Sequence, residues 1–460
     1  MSRHTYIHRA GVILTTLILS ACSNLQPYQN ERTAQALAVP AQWQESATAP
    51  QQALTNQLLD LIGDPALYKL VAQTLAANYD LRQTAIRLKE QRLVSRKEAG
   101  ATLPELNLNL NSDRKKDTAT SHTLSLDLSW EADVWGRLAD RSQAADATTE
   151  SLELDYRAAK DSLAARTIQN WLDIQMRARI IDTESQWLNS LEDTEGVIRE
   201  RFLSGLDGSN SLADLEAARA NAALTRASLA ARQQSQANAW RQLAALQGKT
   251  GTEDLIAALP LSATVPSISN PPARLPAEVL ANRPDLQAAL LSIDAADAQA
   301  SATHKQLLPS FNLTASLSNS AGNLGDLLSG STAWSLLGQL TAPLFNAGRL
   351  KADAEIADLQ AERSYLSYQQ ALLNAVNEVE TALGQETSLA EQQTQLQAAV
   401  KHSEASLEHY QARYRNGLND VLDLLTAQQN AFNNRIRLLE IQQARLTNRI
   451  TLGLALGMGV

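Results

Sequence analysis

The chain has 460 residues, a formal net charge of −9, 4% aromatic residues and a single cysteine. The negative balance argues against nucleic acid as a partner, and one cysteine excludes an intrachain disulfide. A composition rich in Gln, Ala and Leu with so few aromatics favours long helices over a conventional packed sheet.

Arg3 and Arg9 flank the start of an apolar run, Ala10 to Ser20, of a length that suits a signal core and is too short to span a membrane as a helix. The run ends in Leu19-Ser20-Ala21-Cys22, which resembles the bacterial lipoprotein cleavage box. That resemblance implies a signal peptide over 1–21, acylation of the Cys22 thiol, and cleavage before it. Ser23, in place of an aspartate, resembles the sorting code for the outer membrane. An ordinary signal with a chance cysteine is the plainer alternative. From Ser23 to Ile62 the chain is polar with scattered prolines and reads as irregular, within an acylated N-terminal segment, 22–63.

Asp64-Pro65 signals a helix start. Apolar spacing follows through Leu67, Leu70, Val71, Leu75, Leu81, Ile86, Leu88 and Leu93, up to Leu103-Pro104. Two alternating runs come next. Leu106, Leu108 and Leu110 interleave with Asn107, Asn109 and Asn111; Leu124, Leu126, Leu128 and Trp130 interleave with Ser125, Asp127 and Ser129. Period two gives one apolar and one polar face. A soluble hairpin has that pattern, but runs of about 9–11 residues also match tilted strands crossing a bilayer, with leucine toward lipid and amide or hydroxyl toward a wet lumen. The loop between them, Asp113-Arg114-Lys115-Lys116-Asp117, reads as solvated. Trp130, Trp135 and Trp334 suit an interfacial girdle.

Gly136-Arg137 then opens a helical pattern to Leu203 that is about 100 Å long at 1.5 Å per residue, which points to a coiled coil or helical array. It breaks at Ser204–Asn210 and returns from Ser211 to Leu246. A proline-rich stretch over 247–284 reads as a linker, and the pattern then repeats. At an offset of 205, Asp80-Leu81 matches Asp285-Leu286 and Leu103-Pro104 matches Leu308-Pro309. Gly136-Arg137 matches Gly348-Arg349, and Arg201–Leu206 matches Arg413–Leu418. The halves are therefore 64–246, with hairpin 105–132 and helical hairpin 137–246, and 285–460, with hairpin 310–345 and helical hairpin 348–456. Leu350, Ala354, Ala357, Ala361, Ser364, Tyr368, Ala371 and Ala375 follow the 3.5-residue repeat of a coiled coil. Leu425, Gln429, Phe432, Ile436, Leu439, Gln443, Leu446 and Ile450 continue it on the return helix. Gly453, Gly457 and Gly459 resemble a small-residue packing surface, and read as a fraying helix or tail rather than a site.

Four strands cannot close a barrel, and open edges are not tolerated in lipid. Two copies would supply eight strands and three copies twelve; the polar inner face favours the larger, water-filled option. Little suggests an enzyme. There is no phosphate loop, no Gly-x-Ser-x-Gly elbow and no nucleophile constellation. His402 and His409, seven apart, are spaced wrongly for one metal ion.

The layout resembles the TolC family of outer-membrane efflux ducts, in its acylated, NodT-like branch, over essentially the whole mature chain. The marks are Asp133-Val134-Trp135-Gly136-Arg137, Pro343-Leu344-Phe345-Asn346-Ala347-Gly348-Arg349, Leu275-Pro276 with Asn282-Arg283-Pro284-Asp285, and Tyr414-Arg415-Asn416-Gly417. The resemblance implies an α+β membrane protein: a homotrimer whose twelve-stranded barrel is continued by a periplasmic α-helical barrel. It makes 247–284 an equatorial region. It also implies docking to a periplasmic adaptor and an inner-membrane pump of the RND type, as a passive channel. Outer-membrane lipid is the other partner, and no cofactor is expected beyond the covalent lipid on Cys22. A coiled-coil lipoprotein without a pore is the alternative, though it has no use for four strands with apolar faces. The cargo is not written in the sequence.

In this family the helical tips meet the adaptor, which assigns docking to Gly205, Leu206, Gly417 and Leu418. The family also closes its periplasmic end just beyond the second tip. Asp423, six residues after Gly417, matches one gate aspartate; Thr426 stands where a second is common. Asp420 and Asp423, three apart, share a helix face. A ring of such carboxylates selects cations, with Leu422 as an apolar constriction and Asp214 as the first-half counterpart. Helix-dipole charges are the plainer reading of both Asp420 and Asp423.

Overall fold

The computed structural model describes residues 37–44, 57–117, 119–204, 212–262, 264–271 and 276–460. The first half runs α1 (Pro65–Ala77), α2 (Tyr79–Gly100), β1 (Glu105–Asp113), β2 (Ser121–Ala132), α3 (Arg137–Ser204) and α4 (Leu212–Leu246). Short helices α5 (Glu253–Ala258) and α6 (Pro276–Asn282) precede α7 (Pro284–His304), β3 (Ser310–Ala321), β4 (Ala333–Thr341), α8 (Arg349–Arg415) and α9 (Val421–Ala455). The chain forms two compact units. One contains Leu88–Leu152 and Ala288–Gln370; the other contains Val39–Arg87, Glu153–Gln287 and Ala371–Val460.

The first unit holds a four-stranded antiparallel sheet in the order β1-β2-β3-β4. Its register aligns the sequence alternation across all the strands. Leu108 faces Leu126, Leu126 faces Leu317, and Leu317 faces Trp334. The adjacent row is Asn107, Asp127, Ser316 and Ser335. Because side chains alternate faces, one face is leucine-rich and the other carries amides, hydroxyls and carboxylates. Among the described residues no helix is long and apolar enough to cross a membrane.

In the second unit a helical core gathers Leu58, Leu61 and Leu67 with Ile168, Leu172, Met176, Leu243, Ile268, Ile450 and Met458. The sequence reading is refined here in three places. Leu58, Leu59 and Leu61, within a stretch read as polar, are buried core residues on and beside a short helical turn, Leu59–Leu61. The joining stretch 247–284 is packed, with Leu255, Leu259 and Ile268 in the same core. The glycine-rich end does not fray. A Cβ on Gly453 would lie 2.8 Å from Leu58 Cδ1, so Gly453 lets α9 approach that segment closely.

The expected first helix is two helices, because Asn78 interrupts it. Asp64 starts α1 by accepting from the Ala66 amide at 2.8 Å. Asn78 then has extended backbone, accepts from the Leu81 amide at 2.9 Å, and donates from Nδ2 to the Leu246 carbonyl at 2.9 Å. Ile86 and Leu93, expected on the buried stripe, are 54% and 59% exposed. The seam of α8 is buried at Ala354, Ala357, Ala361 and Ala375, and runs on to Val379 and Ala382. On α9 the glutamine that enters the seam is Gln428, 1% exposed, whereas Gln429 is exposed. Gln428 donates from Nε2 to Thr194 Oγ1 at 3.1 Å inside a packed interface, while its buried Oε1 has no partner among the described residues.

Candidate functional site: the sheet and the helical tips

The polar face of the sheet is held by hydrogen bonds that cross strands. Asp127 of β2 accepts from Asn109 of β1 at 2.8 Å, from Ser125 at 2.6 Å and from Ser316 of β3 at 2.5 Å. Every residue of β1 and of β4 is exposed, and within the described residues neither strand has a second neighbour. Such edges present unpaired backbone donors and acceptors.

The passage from strand to long helix is fixed by the motif at 133–137. Gly136 takes φ +71°, a left-handed conformation that glycine adopts without steric cost. Asp133 accepts from the Ala139 amide at 2.8 Å and so caps the start of α3. Arg137 donates from one nitrogen, Nη2, to both carboxylate oxygens of Glu131 at 2.8 and 2.7 Å, a charge-assisted contact. Trp135, 37% exposed, donates to the Pro309 carbonyl at 2.7 Å and ties down the junction with the start of β3. Trp130 likewise donates to the Thr102 carbonyl at 3.0 Å, whereas Trp334 on β4 is 79% exposed. The matching motif of the second half behaves differently. Leu344 and Phe345 are 95% and 90% exposed ahead of Gly348, which has φ +82°.

In the second unit, α8 ends in a turn that glycine makes possible. Gly417 has φ +68°, and Leu418 N–H reaches back to the Arg413 carbonyl at 2.9 Å while Gly417 N–H bonds Tyr414 O at 3.0 Å. This pair of bonds is the Schellman closure of a helix end. Beyond it, Asp420 is the N-cap of α9 and accepts from the Leu422 amide at 3.4 Å. Leu418 and Leu422 are 65% and 52% exposed, and Asp420 and Asp423 are exposed beside them. Thr426, where a second gate aspartate was looked for, bonds its hydroxyl back to the Leu422 carbonyl at 2.7 Å. Asp214 is different, being only 8% exposed at the start of α4. The structure thus brings Leu418, Asp420, Leu422 and Asp423 together at one surface and places Asp214 in the packing. Gly205, Leu206 and Cys22 lie outside the described residues.

Beneath that surface Tyr414, Val421, Leu424 and Leu425 pack with Leu191, Ile198 and Leu215. Trp187 stacks on Phe432 with ring centres 5.1 Å apart. Sequence reasoning gave no role to Arg201. Its guanidinium lies 4.6 Å from the Tyr414 ring centre and donates to the carbonyls of Tyr414 and Arg415 at 3.3 and 3.4 Å. It therefore links the end of α3 to the end of α8. The repeat of Arg201-Phe202 as Arg413-Tyr414 was the available signal, but it marks position and not contact.

Arg283 was also read only as a family mark. It is 8% exposed and bonds Asp285 at 3.1 and 2.7 Å, Glu378 at 2.9 Å and the Ala455 carbonyl at 3.2 Å. One side chain thus joins the start of α7 to α8 and to the end of α9. Burial works against the Arg283 charge, yet its two carboxylates hold the guanidinium above its ordinary value. Burial pushes Asp285 up, but the bonds from Arg283 hold its carboxyl below the usual range.

A sequence profile described as outer membrane efflux protein matches residues 70–249 and 275–458. The chain belongs to the outer membrane efflux protein family. Cation efflux system protein CusC of Escherichia coli (strain K12) is 30% identical, over 96% of this chain and 97% of its own length. Probable outer membrane lipoprotein SilC of Salmonella typhimurium is 28% identical, over 97% of this chain and 98% of its own. Among solved structures, CusC is similar with a TM-score of 0.81 at 28% identity, covering 94% of this chain and 99% of that one. The open state of the MtrE outer membrane channel of Neisseria gonorrhoeae gives 0.82 at 26%, covering 94% and 98%. This efflux protein has the TolC-like duct fold, resides in the outer membrane, and serves there as the channel component of a multi-component efflux system.

Proposed function

We propose that three copies of this efflux protein close a twelve-stranded barrel, continued by a barrel of their long helices, and that this duct conducts cargo passively to the exterior. The supporting observation is the sheet itself: four strands, apolar on one face and polar on the other, with both outer strands open along their length. In lipid those edges must be paired, and copies of the same chain supply the partners. Twelve strands leave room for a wet interior lined by residues such as Asn109, Asp127 and Ser316.

The duct receives its cargo from a periplasmic adaptor and an inner-membrane pump of the RND type, in keeping with relatives named as parts of efflux systems. Leu418 with Gly417, and Gly205 with Leu206, form the adaptor-facing tips. Leu422 and Asp423, with Asp420 at the helix cap, form the constriction, and Asp214 supports it from within the packing. Acyl chains on Cys22 anchor the mature N-terminus. The pump selects the cargo, since relatives of comparable similarity are named for cations and for toluene. The assembly is tested by native mass measurement of the detergent-solubilised complex. A mass of three chains is expected, and a monomer or dimer as the sole species would refute the twelve-stranded barrel.

A further inference from the structure

The loop joining β3 to β4 folds back onto the sheet. Its short turn, Leu324–Leu328, packs against β2 and β3. Asn319 of β3, 7% exposed, donates from Nδ2 to the Leu327 carbonyl at 2.6 Å, and Leu327 is itself 6% exposed. The seat is tight, because a Cβ on Gly330 would lie 2.8 Å from Asn319 Oδ1.

The register identifies the face on which the loop lies. Asn319 pairs with Leu124, two residues along from the row Leu126, Leu317, Trp334. Residues two apart on a strand share a face, so the loop covers the outer end of the apolar face and not the polar one. There it leaves Leu324 at 58% and Leu328 at 88% exposure, on the sheet face that also exposes Trp334 at 79% and Leu317 at 47%. An apolar surrounding would favour both leucines over water. Asp326 lies between them in the turn and accepts from Asn323 Nδ2 at 3.3 Å. The β1–β2 loop is at the same rim, since both hairpins turn at the same end of the antiparallel sheet. Its composition is the opposite: Asp113, Arg114, Lys115, Lys116 and Asp117 are all exposed, with Lys115 paired to Asp113 at 3.2 Å.

In an outer-membrane channel the apolar face of the strands meets lipid. We infer that the β3–β4 loop is a lipid-immersed wedge. Leu324 and Leu328 enter the acyl layer of the outer leaflet and extend the apolar band of the barrel past its strands. The β1–β2 loop stays in water.

The test uses the full-length channel in phosphatidylcholine vesicles, with a fluorescent label on Leu328→Cys, Leu324→Cys or Lys116→Cys. The parent chain serves as the blank for Cys22. Bromine carried on the acyl chains is expected to quench the label at 328 and at 324 at least twofold, while aqueous iodide quenches it little. At 116 the order reverses. If one leucine variant fails to assemble, the other carries the same reading. Iodide quenching at 324 or 328 equal to that at 116, without quenching by bromolipid, would overturn the inference.

Discussion

At the residue scale, two kinds of carboxylate do different work. Asp423 is exposed at the start of α9, next to exposed Leu422. Repeated by symmetry around an axis, as in the proposed assembly, it would contribute a negative ring that draws cations and resists contraction. We expect Asp423→Ala to lower cation selectivity and to weaken block by multivalent cations. Combined with Leu422→Ser, it should raise the resting conductance. Single-channel records in which both variants stay closed and selective like the parent would make the aspartates helix caps only. Thr426 fits a single-ring gate, since its hydroxyl is committed to the helix backbone.

Asp285 and Asp161 concern stability instead. Arg283 holds the Asp285 carboxyl below the usual range despite its burial, so its folded value lies under its unfolded one. Its contribution is therefore present above the unfolded carboxylate value of about 3.9, and it is lost as pH falls through the lowered folded value. Asp161 is the reverse. Burial pushes it up, beyond what the Val460 amide at 3.0 Å and Lys160 restore. Its cost at neutral pH is relieved as pH falls through the raised folded value. Acidification from neutral should thus first stabilise the second unit and then destabilise it. Denaturant unfolding at stepped pH checks this: Asp161→Asn should reduce the early gain, the remainder coming from Asp155, which burial and the Asp285 charge also push up. Arg283→Met should cost about 1–3 kcal/mol at neutral pH, the price of stranding its partners, and should remove the late acid loss. A pH profile unchanged in both variants would contradict the assignment.

At the scale of elements, the strands were legible because their alternation is strict and their period is the simplest in protein structure. The alanine seam of α8 was legible in part: Ala354, Ala357, Ala361 and Ala375 are buried as the heptad spacing names them, whereas Leu350, Ser364, Tyr368 and Ala371 are only half-buried. Helix interruptions were harder to read. Asn78 breaks a continuous apolar pattern through bonds to Leu246, 168 residues away, and no local signal reports such a partner. Gln428 and Gln429 are equivalent in composition, and only the rotation of α9 decides which is buried. Glycines 453, 457 and 459 left packing and fraying both open in the sequence, because glycine marks freedom and close approach alike, and the structure packs them. At the tips, the turn glycine and the aspartate three residues beyond it were legible, but the Arg201 bridge was not. Leu418 stands 65% exposed on a turn that its own backbone closes, which suits a contact surface. Leu206→Asp with Leu418→Asp should abolish efflux in cells and leave the oligomer intact. Normal resistance in cells carrying that double variant would exclude the tips from docking.

For the whole molecule, the duplicated order of helix, hairpin, long helix and return helix supplies four strands among the described residues, too few for closure. On the proposed reading, assembly completes the barrel, and a lipid on Cys22 would add an anchor to a body that already inserts through its strands. Cys22→Ser should therefore lower the fraction that reaches the outer membrane more than it alters the pore of the molecules that arrive. Palmitate labelling of the mature parent chain, lost in Cys22→Ser, is the accompanying readout, and an unlabelled parent would rule out acylation. The central claim is that copies of this chain enclose a water-filled path, and planar-bilayer recording of the purified protein tests it most directly. The account predicts discrete, cation-selective conductance steps whose resting level rises in Asp423→Ala with Leu422→Ser. A correctly assembled protein that inserts and yields no conductance in the parent or in that variant would contradict it.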